Sequence, residues 1–135
     1  MIEKNEINCI YNKEEETINL LYDYNQVKSY WSDEEKKIYN EAKKYMEDYF
    51  KYIDIYINDK KIEFNTKYTS KETGKIKVKF IFHKLLTNTS FMFNDCSSLE
   101  SIDLSSFNTT NVKYMSGMFF GCSTLKSIDL ILIRL

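Results

Sequence analysis

A stretch that occurs twice constrains this chain more than any other feature. Phe91-Met-Phe-Asn-Asp-Cys96-Ser-Ser-Leu99-Glu-Ser-Ile102-Asp103-Leu104 returns as Gly117-Met-Phe-Phe-Gly-Cys122-Ser-Thr-Leu125-Lys-Ser-Ile128-Asp129-Leu130, always 26 residues later. Nine of the thirteen positions from Met92 to Leu104 are identical to their partners. A fixed period between about 20 and 50 residues marks stacked structural repeats. Each unit of such a stack buries its apolar face against its neighbours. The pattern predicts a solenoid of units about 26 residues long over residues 84–135. Ser101-Ile-Asp-Leu-Ser105 reads as the strand of one unit, with Ile102 and Leu104 inward and Ser101 and Asp103 outward. Val112, Met115, Met118, Phe119, Cys122 and Leu125 recur at steps of three or four and predict short helical turns, with Asn111 as N-cap.

Before the repeat the composition is different. Residues 1–83 carry 31 charged side chains, whereas residues 84–135 carry 8. That shift predicts two joined parts, an N-terminal α+β domain over 1–83 and the repeat region over 84–135. Ile7, Cys9 and Tyr11 alternate with polar residues as a strand, and Thr17–Tyr22 reads as its hairpin partner. Ser32 and Glu35 have capping-box spacing, so a helix starts there and buries Ile38, Ala42, Tyr45 and Tyr49, with Met46 and Phe50 beside them. Ile53, Ile55 and Ile57 then alternate at period two, turn at Asn58–Lys61 and pair with Ile62–Phe64. Lys75–Phe82 alternates lysine with apolar residues. The order ββαβββ is that of a β-grasp arrangement. Shifting Ile76 and Val78 by 26 residues lands on Ile102 and Leu104, which makes strand 75–82 the expected first rung of the repeat sheet.

The doubled motif, with Ser-Phe-Asn-Thr-Thr-Asn-Val-Lys-Tyr-Met-Ser-Gly between its copies, closely resembles the BspA-like leucine-rich-repeat surface proteins over roughly residues 85–135. The resemblance implies a solenoid without catalytic residues, and a cell-surface or secreted protein that acts in adhesion. It assigns structural roles to Met92, Phe93, Cys96, Leu99, Ile102, Leu104 and Phe107, and to Val112, Met115, Met118, Phe119, Cys122, Leu125, Ile128 and Leu130. It assigns no binding residue. Two repeats are few for such an array, and Ile131-Leu-Ile-Arg-Leu135 stands where another Ser-Ser-Phe-Asn-Thr would continue. A truncated member, with self-association through the uncapped strand Ser127–Leu135, is the expectation that follows.

The chemistry follows from what the residues can support. A net charge of −1 gives no electrostatic ground for binding nucleic acid. No run of about 18 apolar residues crosses a membrane, and Met1–Asn8 has no secretory core, which leaves a cytoplasmic location as the alternative. Cys9, Cys96 and Cys122 form no disulfide framework and read as reduced, small buried hydrophobes. His83 is the only histidine, and three glycines cannot build a phosphate loop, so neither metal nor cofactor is expected. What is left for function is the outward strand face: Ser101, Asp103, Ser127 and Asp129, with Lys77 at its end. The expected role is a non-enzymatic module that binds a protein or cell-surface ligand there. The alternatives are an intracellular scaffold acting through its N-terminal part, or a truncated family member without function.

Overall fold

In a computed structural model of the chain, which describes residues 4–26 and 28–129, strand β1 (Glu6–Lys13) lies in the middle of the main sheet. Its alternation buries Ile7, Cys9, Tyr11 and Lys13 on one face and turns Glu6, Asn8, Ile10 and Asn12 to the other. The chain continues through β2 (Thr17–Asn19), helix α1 (Asp33–Tyr49), a short 3₁₀ turn, and strands β3 (Ile53–Ile57), β4 (Lys60–Ile62), β5 (Lys67–Thr69), β6 (Gly74–Phe82), β7 (Leu99–Asp103) and β8 (Ser127–Asp129). Six strands form one mixed sheet in the order β4-β3-β6-β1-β7-β8, and β2 pairs with β5 in a separate two-stranded sheet. All pairings in the main sheet are antiparallel except β7 with β8, which is parallel.

Local chemistry accounts for the elements. The Ser32 side chain accepts from the Glu35 N–H, and the Glu35 carboxylate accepts from the Ser32 N–H. This reciprocal cap satisfies two otherwise orphan donors and stabilises α1 by about 1 kcal/mol. The helix buries Tyr39, Ala42, Met46 and Tyr49, so the stripe is rotated from the expected one and leaves Ile38 and Tyr45 half-buried. Asn58 and Asp59 both have positive φ, 47° and 71°, the backbone of a tight two-residue hairpin between β3 and β4. Alternation on β3, β6 and β1 sends Ile55, Val78, Phe80, Phe82, Ile7 and Tyr11 to the face that α1 and the repeat turns cover.

The expected α+β domain of β-grasp order leading into a solenoid is not what forms. The chain builds a six-stranded mixed sheet with one α-helix among the described residues, and the repeat strands are its last two members. The 7–11/17–22 hairpin is replaced by β1 pairing with β6 on one side and β7 on the other. A strand buried along one face with unpaired backbone on both edges needs two neighbours, and a short β2 could satisfy only one of them. After Asn19 the residues Leu20, Leu21 and Tyr22 are all buried, so this segment enters the core and does not extend a ladder. Strand 75–82 is likewise not the rung beside β7, because β1 lies between them. The boundary expected near His83 falls between β6 and β7 of the one sheet.

The two copies do meet at their 26-residue offset: Ser101 pairs with Ser127, Ile102 with Ile128 and Asp103 with Asp129. Between strands each copy forms successive turns and no helix, and no helix begins at Asn111. The reason is backbone conformation. Phe91 and Asp95 have φ near +62°, as do their counterparts Gly117 and Gly121 at 61° and 81°. A left-handed residue every four positions stops an α-helix from propagating. The turns of the two copies stack instead by main-chain hydrogen bonds, with the N–H groups of Thr89, Phe91, Phe93 and Asp95 donating to the carbonyls of Tyr114, Ser116, Met118 and Phe120. Phe93 and Phe119 stack with ring centroids 5.9 Å apart. Leu130 and the Ile131–Leu135 run, including the end of the expected uncapped strand, lie outside the described residues.

The first copy carries side chains where the second carries glycine, and these side chains tie it to the N-terminal half. Phe91 packs between Trp31, Tyr22 and Tyr39, with ring centroids 5.2, 6.3 and 6.0 Å away. Asp95 forms an ion pair of 2.8 Å with Lys28. The glycines leave room for this arrangement: a Cβ on Gly117 would meet the Phe91 ring at 3.0 Å, and one on Gly121 would meet the Asp95 carboxylate at 2.5 Å.

Candidate functional site

One face of the main sheet is covered by α1 and the repeat turns. On the other, a groove of about 780 Å³ runs across β3, β6, β1, β7 and β8. The register places its side chains in rows. Tyr56, Lys79, Asn8 and Asp103 are opposite one another on β3, β6, β1 and β7, and Lys77, Ile10, Ser101 and Ser127 make the next row on β6, β1, β7 and β8. Side chains directly opposite across a ladder share a face, so each row is a line of contacts available to a partner.

Lys77, Ser101, Asp103 and Ser127, expected on an outward face, all line this groove. Asp129 occupies the register position beside Asp103, and its side chain lies outside the described residues. Lys77 does not directly adjoin the repeat strands, however. It stands two strands from Ser101 with Ile10 between, and its ammonium is 3.3 Å from the Asp59 carboxylate. Sequence reasoning missed Asn8, Ile10 and Tyr56, because β1 and β3 were not expected beside the repeat, and it missed Lys79. The alternation of β6 already puts Lys79 on the side of Lys77.

Charge is divided across the face. Lys75, Lys77 and Lys79 stand on β6, and Asp103 stands on β7. Lys75 reaches Glu100 at 3.0 Å, where a bulge between Ile10 and Tyr11 lets the β7 backbone slip by one residue. Hydrogen bonds from Ser105 hold the Asp103 carboxyl below the usual carboxylate range, so it is ionised at neutral pH. Lys79 lies over the Tyr56 ring, 5.6 Å from its centroid. At the far edge, the His83 ring and the Asp54 carboxylate are 2.8 Å apart, and the His83 contact lowers the Asp54 pKa.

A family model described as "Mycoplasma protein of unknown function, DUF285" matches residues 56–130, more than half of the chain. The chain belongs to this family. The DUF285 segment begins at Tyr56 on β3 and takes in β6, β7 and β8, hence most of the open face. β1, which joins the two halves of that face, lies before it. No curated protein and no solved structure matches the chain.

The cysteines are placed for packing. Cys9 and Cys96 are buried, and burial pushes both thiols well above their ordinary range. Burial pushes Cys122 up to about 11, and its thiol donates to the Phe93 carbonyl. A thiol held protonated is a poor nucleophile. Among the described residues no three His, Cys, Asp or Glu side chains are grouped to hold a metal ion, and no helix is long and apolar enough to cross a membrane.

Proposed function

We propose that the chain is a non-enzymatic interaction module that displays the open sheet face to a protein or cell-surface ligand, in the manner of the leucine-rich-repeat surface proteins its doubled motif resembles. The observation that carries this reading is the groove itself: four residues marked by alternation and repeat period line one uncovered, charged and partly apolar face. Lys77, Ser101, Asp103 and Ser127 supply polar contacts, while Ile10 and Tyr56 supply apolar area between them. An aromatic and apolar centre with a polar rim is the usual make-up of a protein-binding patch.

Fluorescently labelled protein incubated with intact cells tests this. The native chain is expected to bind saturably, and Lys77→Glu combined with Asp103→Lys to weaken binding about tenfold or more, the scale of losing one or two interfacial charge contacts. Both side chains are exposed, so the fold stays intact. Saturable binding that is equal for the two proteins, or no binding by the native chain, overturns the proposal.

A further inference from the structure

We infer that the partner seated on the open face, taken as the contact surface above, is a second copy of this chain, related by a two-fold axis running along β1. The register supplies the geometry. Lys79 on β6 and Asp103 on β7 both stand opposite Asn8 of β1, so they lie at the same height on either side of it. Each is one strand spacing away, about 4.8 Å. Rotation by 180° about β1, with the axis in the plane of contact, exchanges the β6 side for the β7 side and leaves height unchanged. Lys79 of each copy then faces Asp103 of the other, and the Ile10 side chains meet on the axis.

Two of the charges that this rotation brings together have no ion pair within the described part of the chain. Lys77 is tied to Asp59 and Lys75 to Glu100. Among the described residues neither Lys79 nor Asp103 has an ion-pair partner: Lys79 rests on the Tyr56 ring, and Asp103 accepts from the Ser105 N–H at 2.9 Å. An isologous contact needs one patch that is complementary to itself. A lysine and an aspartate placed symmetrically about Asn8, with an apolar Ile10 in the next row, meet that requirement. Like charges would meet at Glu6, also on β1. Glu6 begins the strand, about 13 Å along it from Ile10, so this repulsion falls at the rim of the contact.

Sedimentation equilibrium of the full chain at low salt, across micromolar concentrations, tests the assignment. The native protein is expected to move from monomer to dimer, and Lys79→Glu to weaken that association about tenfold or more by setting Glu against Asp103. Lys79→Glu with Asp103→Lys restores the pairing with its polarity reversed, and its association is expected within about threefold of native. A native chain that stays monomeric overturns the inference. So does a dimer indifferent to Lys79→Glu, which would place the contact elsewhere, such as the β8 edge. A double variant that fails to recover also overturns it. A monomeric chain that still binds cells through the open face would refute this partner and leave the contact surface standing. No cell binding by the native chain, with the charge-swapped dimer intact, would do the reverse.

Discussion

Replacing Phe91 with alanine is expected to lower the unfolding free energy by about 2–3 kcal/mol, read as an earlier urea midpoint and a melting temperature lower by about 10 °C. Removing a buried phenylalanine ring costs about 3–5 kcal/mol when the cavity cannot close. Phe91 packs against Trp31, Tyr22 and Tyr39, and these contacts bind the helix and the 20–31 segment to the first repeat turn. Phe91 keeps 8% of its surface exposed, which sets the expected loss at or just below the lower end of that range. Phe91 sits at φ 63°, a left-handed conformation that costs a side-chain-bearing residue about 1–2 kcal/mol. Alanine keeps most of that strain, so little is recovered. The same repeat position holds glycine in the second copy, where a side chain would meet the Phe91 ring. A variant as stable as the native chain would show that the ring does not join the two halves.

The second large effect is expected at Lys13. β1 turns this residue inward at its end, and its ammonium donates to the carbonyls of Glu15, Ser70 and Glu72. It therefore clamps the loop after β1 to the loop before β6. Hydrogen bonds to a charged group are worth about 1.5–3 kcal/mol each. Glu15 and Glu72 are exposed, so their carbonyls regain water when the ammonium is removed. Lys13→Met keeps the apolar stem and is expected to cost about 2–3 kcal/mol in chemical denaturation, with faster amide exchange between Ser70 and Gly74. A cost under about 0.5 kcal/mol, in the range of an ordinary surface substitution, would mean that the clamp does not hold.

Much of the fold was legible because local chemistry decided it. Ser32 and Glu35 fix the start of α1, the alternating lysines show β6, and the Asn58-Asp59 pair marks the tight turn after β3. What local chemistry does not decide is which strands are neighbours. Alternation in Ile7-Asn8-Cys9-Ile10-Tyr11 tells which residues face the core, and it is silent on whether the next strand is 17–22 or 74–82. Proximity in sequence favours the hairpin, and the need of a central strand for two partners overrides it. The repeat turns were misread as helical because Phe91 and Asp95 hide the left-handed positions that Gly117 and Gly121 display openly one copy later.

The candidate site divides the same way. Lys77, Ser101, Asp103 and Ser127 could be found, since alternation and the 26-residue offset both act along the chain. Asn8, Ile10 and Tyr56 join them only through cross-strand register, a long-range property, whereas Lys79 follows from Lys77 by alternation. The lysine and aspartate sides of the face come together because β1 stands between β6 and β7.

The position of β1 thus decides which residues share the open face, and cross-strand NOEs in solution report it. Backbone protons of Ile10 are predicted to show NOEs both to Lys77 on one side and to Ser101 on the other, with none directly between Lys77 and Ser101. Direct Lys77–Ser101 NOEs, with β1 paired to residues 17–22, would contradict the account and restore strand 75–82 as the neighbour of the repeat.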